Sequence, residues 1–174
     1  MLKNIILTGY MGVGKTTIGA FLAKELNVPF YDLDQLIEQE ENMSVKNIFK
    51  TKGEIYFRKI EHTTLNNFIA NNSNYVLAFG GGTPCYANNH LVLQQPLVFS
   101  FYLKASIAVL SDRLKQHRDA RPLLSNEASL DELKDQIAKS LFDRSYFYHQ
   151  AKKTINVDNK SVVEITNEIK QVLL

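Results

Sequence analysis

At 174 residues with 45% hydrophobic content, the chain is the size of one domain, 1–174, and long enough to bury a core without disulfides or structural metals. Its 20 basic and 18 acidic residues leave a formal charge of +2 with no long run of one sign, which excludes the broad basic surface of a nucleic-acid binder and favours a small anionic ligand. A lone cysteine, Cys85, rules out an intrachain disulfide, the N-terminus runs into a strand rather than a signal segment, and no apolar stretch approaches the roughly 20 residues of a membrane span, so a cytoplasmic protein without membrane contact is expected.

The first strand is expected over Lys3–Thr8, followed by the glycine-rich run 9–16 and a helix that begins at Gly14 and passes through Ile18, Phe21, Leu22 and Leu26. Pro29 ends that helix and pushes Val28 extended, so a second strand is read over Val28–Tyr31. Helical patterns at Asp34–Glu41, Ser44–Lys50 and Glu54–Ala70 hold more material than a crossover needs, and are read as a substrate-binding insertion over about 33–70. Strands at Tyr75–Phe79 and Leu97–Leu103 follow, then a helix over Ser106–His117. A polar, proline-interrupted stretch at about 116–128 is expected to be a mobile lid. Ser129 with Glu132 and Ser161 with Glu164 match the capping box, starting a helix that runs to about Tyr148 and a C-terminal helix, with a last strand at Thr154–Val157 between them. Strands that lack a polar face and alternate with helices imply an α/β fold with a parallel sheet covered on both sides.

Gly9-Tyr10-Met11-Gly12-Val13-Gly14-Lys15-Thr16, between a strand and a helix, is a phosphate-binding loop in letters and in context. Glycines let consecutive N–H groups curl around phosphates, Lys15 brings charge to the β- and γ-phosphates, and Thr16 offers a hydroxyl to Mg²⁺. The acceptor is sought in Asp32-Leu33-Asp34: in an extended segment both carboxylates face one way at the carboxyl end of a strand, where open α/β sheets bind ligands. One can serve Mg²⁺ and the other the acceptor, while Asp34 can also act as a helix N-cap. Lysines outnumber arginines three to one, so Arg58, Arg113, Arg118, Arg121 and Arg144 stand out as sites where a planar fork is useful. Arg58 also has Glu54 and Glu61 at helix-neighbour spacing. Gly80-Gly81-Gly82 after an apolar strand suits close approach to a ligand. Cys85 reads as a packed residue, and His62, His90, His117 and His149 lack ligand spacing.

Nearly the whole chain resembles the shikimate kinase family. The matching pieces are Leu7 through Gly19, Asp32-Leu33-Asp34, Ile48-Phe49 with Gly53-Glu54, Phe57-Arg58 with Glu61, Gly80-Gly81-Gly82, Arg121-Pro122-Leu123-Leu124, and Arg144 followed by Tyr148. The resemblance implies a three-layer P-loop NTPase fold with a five-stranded parallel sheet, and transfer of the γ-phosphoryl group of ATP to the 3-hydroxyl of shikimate on the chorismate route, by a monomer. It implies ATP on Gly12, Val13, Gly14, Lys15, Thr16 and Thr17, and Mg²⁺ on Thr16 and, through a water, Asp32. Shikimate would lie against Asp34, Arg58, Gly80, Gly81, Gly82 and Arg144. Lys15, Asp34 and Arg121 become the catalytic set, Asp34 as base or positioning group and Arg121 over the transferring phosphoryl. The family's adenine-stacking arginine, seven positions ahead of Arg121, corresponds to Leu114, with Arg113, Lys115 and Arg118 as neighbouring candidates, and its contact after the last strand falls in Asp158-Asn159-Lys160. The competing readings are a gluconate or nucleoside monophosphate kinase of the same fold and a nucleotide-gated module without transfer.

Overall fold

The computed structural model describes residues 4–116 and 129–173. Five parallel strands, β1 (Asn4–Thr8), β2 (Phe30–Asp32), β3 (Tyr75–Ala78), β4 (Val98–Lys104) and β5 (Lys153–Asn156), form one sheet in the order β2-β3-β1-β4-β5. Helices α1 (Lys15–Leu26), α2 (Leu33–Glu41), α3 (Val45–Asn71), α4 (Ile107–Gln116), α5 (Leu130–Tyr148) and α6 (Val162–Leu173) make up the crossovers and flanks. Among the described residues no helix is long and apolar enough to cross a membrane.

Side-chain alternation on β1 explains the layers. Ile5 and Leu7 point into one core with Ile18 and Leu22 of α1, Leu110 of α4 and Ile165 of α6. Ile6, one residue out of phase, enters a second core with Leu33, Ile37, Ile48 and Leu65 of the insertion. Both faces of the central strand are therefore dry, which is why its sequence shows no polar alternation. Burial of a leucine or isoleucine side chain contributes roughly 1.5–3 kcal/mol, so these cores hold the carboxyl ends of β1, β2 and β3 in fixed register beneath the loops that follow them.

Local departures from the sequence reading have identifiable causes. β2 starts later than Val28 because Asn27 takes a left-handed conformation (φ 53) and Val28 N–H still bonds the Ala23 carbonyl, closing α1. The strand then reaches Asp32, and α2 follows with no intervening loop. Ser44–Lys50 and Glu54–Ala70 belong to a single run, α3, broken at Gly53, whose φ of 83° and ψ of 171° are not helical. Ser129 and Ser161 both make the reciprocal capping bonds expected of them: Glu132 and Glu164 reach back to the serine N–H groups at 2.6 and 2.7 Å. Two 3-10 turns, Thr83–Cys85 and Asn89–Gln94, follow the glycine triplet and went unread in the sequence.

The phosphate-binding loop is seated on β4 at Gly9. Its φ is +143°, and a Cβ there would lie 2.5 Å from the Leu103 carbonyl oxygen. Gly9→Ala is expected to cost about 2–4 kcal/mol of stability, from backbone strain plus displacement of a strand carbonyl that cannot rotate away. Urea unfolding of the two proteins measures it, and equal midpoints would show that the loop tolerates a side chain at its root.

Candidate active site

The nucleotide side is assembled by α1 and the loop before it. Gly12 and Gly14 hold φ of 82° and 105°, positions at which a side chain is disfavoured, and Gly14 caps α1 so that the helix N-terminus opens onto the loop. Lys15 is 9% exposed and its ammonium donates to the Gly9 and Tyr10 carbonyls at 2.8 and 3.0 Å, which keeps the charge at the mouth of the loop. Val13 is buried, whereas Thr16 and Thr17 are exposed at the first turn. Thr16 Oγ1 donates to Asp32 Oδ2 at 2.8 Å. Hydroxyl and carboxylate are thus already paired, an oxygen donor set that suits Mg²⁺, which keeps several waters and takes few protein ligands. Among the described residues no three His, Cys, Asp or Glu side chains stand together as a metal cluster.

Asp32 has a second role. Its Oδ1 accepts from Asp34 N–H at 3.0 Å, so Asp32, rather than Asp34, is the N-cap of α2. The two carboxylates are neighbours not through one extended segment, as the sequence suggests, but because a strand passes directly into a helix, with Asp34 in its first turn.

The acceptor side closes around the glycine triplet. A Cβ on Gly80 would stand 2.9 Å from Asp34 Oδ1, one on Gly81 3.2 Å from Met11 N of the phosphate-binding loop, and one on Gly82 2.6 Å from Arg58 Nη2. None of the three has a positive φ, so the glycines serve close approach rather than backbone freedom. Asp34, Arg58 and the phosphate-binding loop are consequently all in contact with one short segment. Arg58 is held at Nη1 by Glu61 Oε2 at 2.9 Å, more loosely by Glu54 at 3.4 Å, and lies over the Tyr86 ring at 3.9 Å. The helix-neighbour pairing expected of Arg58 is present, and the same guanidinium borders the glycine segment. Arg144 of α5 reaches in from the other side, 5.8 Å from the Tyr10 ring centroid. One turn later on the same helix, buried Tyr148 donates its hydroxyl to the Gly81 carbonyl at 2.5 Å. Because a peptide unit is planar, that bond also fixes the direction of the Gly82 N–H. A cavity of about 520 Å³ opens beside Arg144, between Cys85 and Tyr86 on one wall and Lys139 and Asp143 on the other.

Electrostatics single out Asp34. Burial foremost, then the charges of Asp32 and Glu61, push its carboxyl up from 3.8 to about 6, with Lys15 opposing. Burial likewise raises the Cys85 thiol to about 11, so it stays protonated at neutral pH and is a poor nucleophile, consistent with its reading as a packed residue.

Leu114 is 1% exposed in the core and cannot meet a base. Arg113, its neighbour, faces the phosphate-binding loop, donating to the Val13 carbonyl at 2.9 Å. The i, i+4 pair Leu110 and Leu114 on α4 was the available signal that 114 faces inward. Asp158 accepts from Ser106 N–H and fastens the loop after β5 to the start of α4. Glu61, Tyr86 and Tyr148 gained no site role from the sequence because their contacts with Thr83, Arg58 and Gly81 cross between elements. Arg118, Arg121 and all of the lid expected at about 116–128 except Gln116, the last residue of α4, lie outside the described residues.

Comparison with known proteins agrees with this geometry. The shikimate kinase family model matches residues 11–174. Shikimate kinases of Flavobacterium psychrophilum and Flavobacterium johnsoniae are 51% and 46% identical, each over 99% of both chains. The solved shikimate kinase of Bacteroides thetaiotaomicron superposes with a TM-score of 0.91 at 35% identity, covering 99% of both chains. That of Acinetobacter baumannii, in complex with shikimate, gives 0.88 at 32% identity, covering 99% of this chain and 93% of its own. With a strand-to-helix carboxylate pair, a phosphate-binding loop and a glycine segment that joins them, the chain belongs to the shikimate kinase family.

Proposed function

We propose that this site transfers the γ-phosphoryl group of ATP to the 3-hydroxyl of shikimate, giving shikimate 3-phosphate and ADP on the route to chorismate. The observation that carries the reading is the glycine triplet, which touches Asp34, the phosphate-binding loop and Arg58 at once and so sets an acceptor pocket directly against the phosphates. Arg58 and Arg144 grip the acceptor carboxylate as planar forks. Asp34 accepts from the attacking hydroxyl, and the N–H groups of Gly80, Gly81 and Gly82 line the ring. Gly12, Val13, Gly14, Thr16 and Thr17 cradle the triphosphate, and Arg113 supplies the cation beside the nucleotide. Thr16 and Asp32 would hold Mg²⁺, which when bound neutralises charge on the β- and γ-phosphates. Lys15 carries the same task from the protein, and Arg121 covers the transferring group.

Because the transition state for phosphoryl transfer is loose, little proton removal is needed early, and the larger contribution of Asp34 is to aim the hydroxyl. Its raised pKa keeps it able to take the proton as transfer completes. A monomer in the cytoplasm is the setting we assign, in keeping with the free thiol of Cys85.

Purified protein with Mg²⁺ and ATP is expected to release ADP at a rate raised at least tenfold by shikimate, with no comparable stimulation by gluconate or nucleoside monophosphates. Stimulation by a different acceptor would transfer the pocket to that substrate.

Asp34 also sets a conflict between stability and activity. A carboxyl raised in the fold to about 6 from 3.8 favours its protonated form there, so stability is greatest below pH 4 on this account and falls as pH rises through about 6. The ionised group then costs about 2–3 kcal/mol in the metal-free protein. Asp34→Asn is expected to lower turnover at least a hundredfold while raising the melting temperature at pH 7.5 and leaving it unchanged at pH 4. A variant less stable at pH 7.5 would show that the carboxylate is satisfied in place.

A further inference from the structure

We propose that Thr83 is a positioning residue for the substrate carboxylate: its hydroxyl holds Glu61, and Glu61 holds Arg58. The inference rests on the assignment of Arg58 as a carboxylate ligand. Glu61 is 1% exposed, and a carboxylate at that depth needs a partner on each oxygen. Oε2 accepts from Arg58 Nη1 at 2.9 Å, and Oε1 accepts from Thr83 Oγ1 at 2.7 Å. The second tether of Arg58, Glu54, is longer at 3.4 Å and its side chain is 53% exposed, which makes it a weak restraint. The Tyr86 ring supports the guanidinium from one face without fixing its in-plane orientation. The direction of the Arg58 fork is therefore set by Glu61, and that of Glu61 by Thr83.

Thr83 is itself immobilised. It is fully buried at the first position of the 3-10 turn that follows the glycine triplet, and its N–H bonds the Gly80 carbonyl at 3.1 Å. Its own carbonyl accepts from Asn89 Nδ2 at 3.0 Å. Asn89, 2% exposed, turns its Oδ1 to His62 Nδ1 at 2.7 Å, which requires the imidazole proton to sit on Nδ1. His62, Asn89, Thr83, Glu61 and Arg58 thus form one hydrogen-bonded chain that starts on α3, passes beneath the glycine triplet, and returns to α3 at the substrate arginine. Without the Thr83 hydroxyl, Oε1 of Glu61 would face a dry wall, and the carboxylate would turn away from the arginine to find another donor.

The test is steady-state kinetics of the full chain with ATP and shikimate varied in turn. Thr83→Val keeps the shape and removes the hydroxyl; it is expected to raise KM for shikimate about tenfold, with KM for ATP within about twofold and kcat within about threefold. Thr83→Ser keeps the hydroxyl and loses the methyl, and is expected to stay within about threefold of the parent in every constant. The reverse order, with valine near the parent and serine impaired, would mean that Thr83 only fills space and would overturn the proposal. If Thr83→Val does not fold, Thr83→Ala and Thr83→Ser form the deciding pair, since both lack the methyl groups of valine: equal constants overturn it, and a shikimate KM raised in alanine alone supports it. Arg58→Ala separates this inference from its premise. No change in its shikimate KM removes Arg58 from the site, whereas a rise there with Thr83→Val at parental values refutes the Thr83 relay alone.

Discussion

One carboxylate, Asp32, joins the two halves of the site. Its oxygens are divided between the Thr16 hydroxyl at the start of α1 and the Asp34 N–H at the start of α2. The helix that follows the phosphate-binding loop and the helix that carries Asp34 are thereby referred to the same side chain. Parallel strands supply the coarse placement, because β2, β3 and β1 are adjacent and all end on the same side. Asp32 supplies the fine placement.

The acceptor wall is then built from contacts that the protein makes with itself. Glycine at 80, 81 and 82 leaves room for an aspartate, a backbone amide and an arginine in turn, and Tyr148 draws the Gly81 carbonyl onto α5. The burial that makes Asp34 expensive to ionise also keeps water from the space beside it, which is what the proposed attack of a hydroxyl on phosphorus requires. In that proposal the strain on the carboxylate and its usefulness have one origin.

What the residues disclosed in advance was whatever depends on neighbours in sequence. The phosphate-binding loop and the two capping boxes are local patterns, and each stands where it was read. Asp32 and Asp34 were paired through an extended geometry that the structure replaces with a strand-to-helix junction, since nothing in three letters tells a strand that continues from one that turns at once into a helix. The family spacing, counted along the chain, lands on Leu114, whose inward direction is decided by its pairing with Leu110 on α4, while Arg113 beside it bonds the Val13 carbonyl. Tyr148 with Gly81, and Thr83 with Glu61, pair residues 67 and 22 positions apart. Such pairs exist only once the sheet has brought α3, α5 and the glycine segment together, so no window of sequence contains them.

A wall whose outer side is already in contact has no slack. The glycine segment cannot retreat from a bulkier ligand, because behind its three Cα atoms lie a carboxylate, a backbone nitrogen and a guanidinium rather than solvent. A ligand enlarged on that flank would have to carve its space from Asp34 or Arg58, the groups proposed to recognise it. Chemical elaboration is better directed along α5, toward the open cavity between Tyr86 and Lys139, where added atoms meet water and the exposed side chains of Lys139 and Asp143.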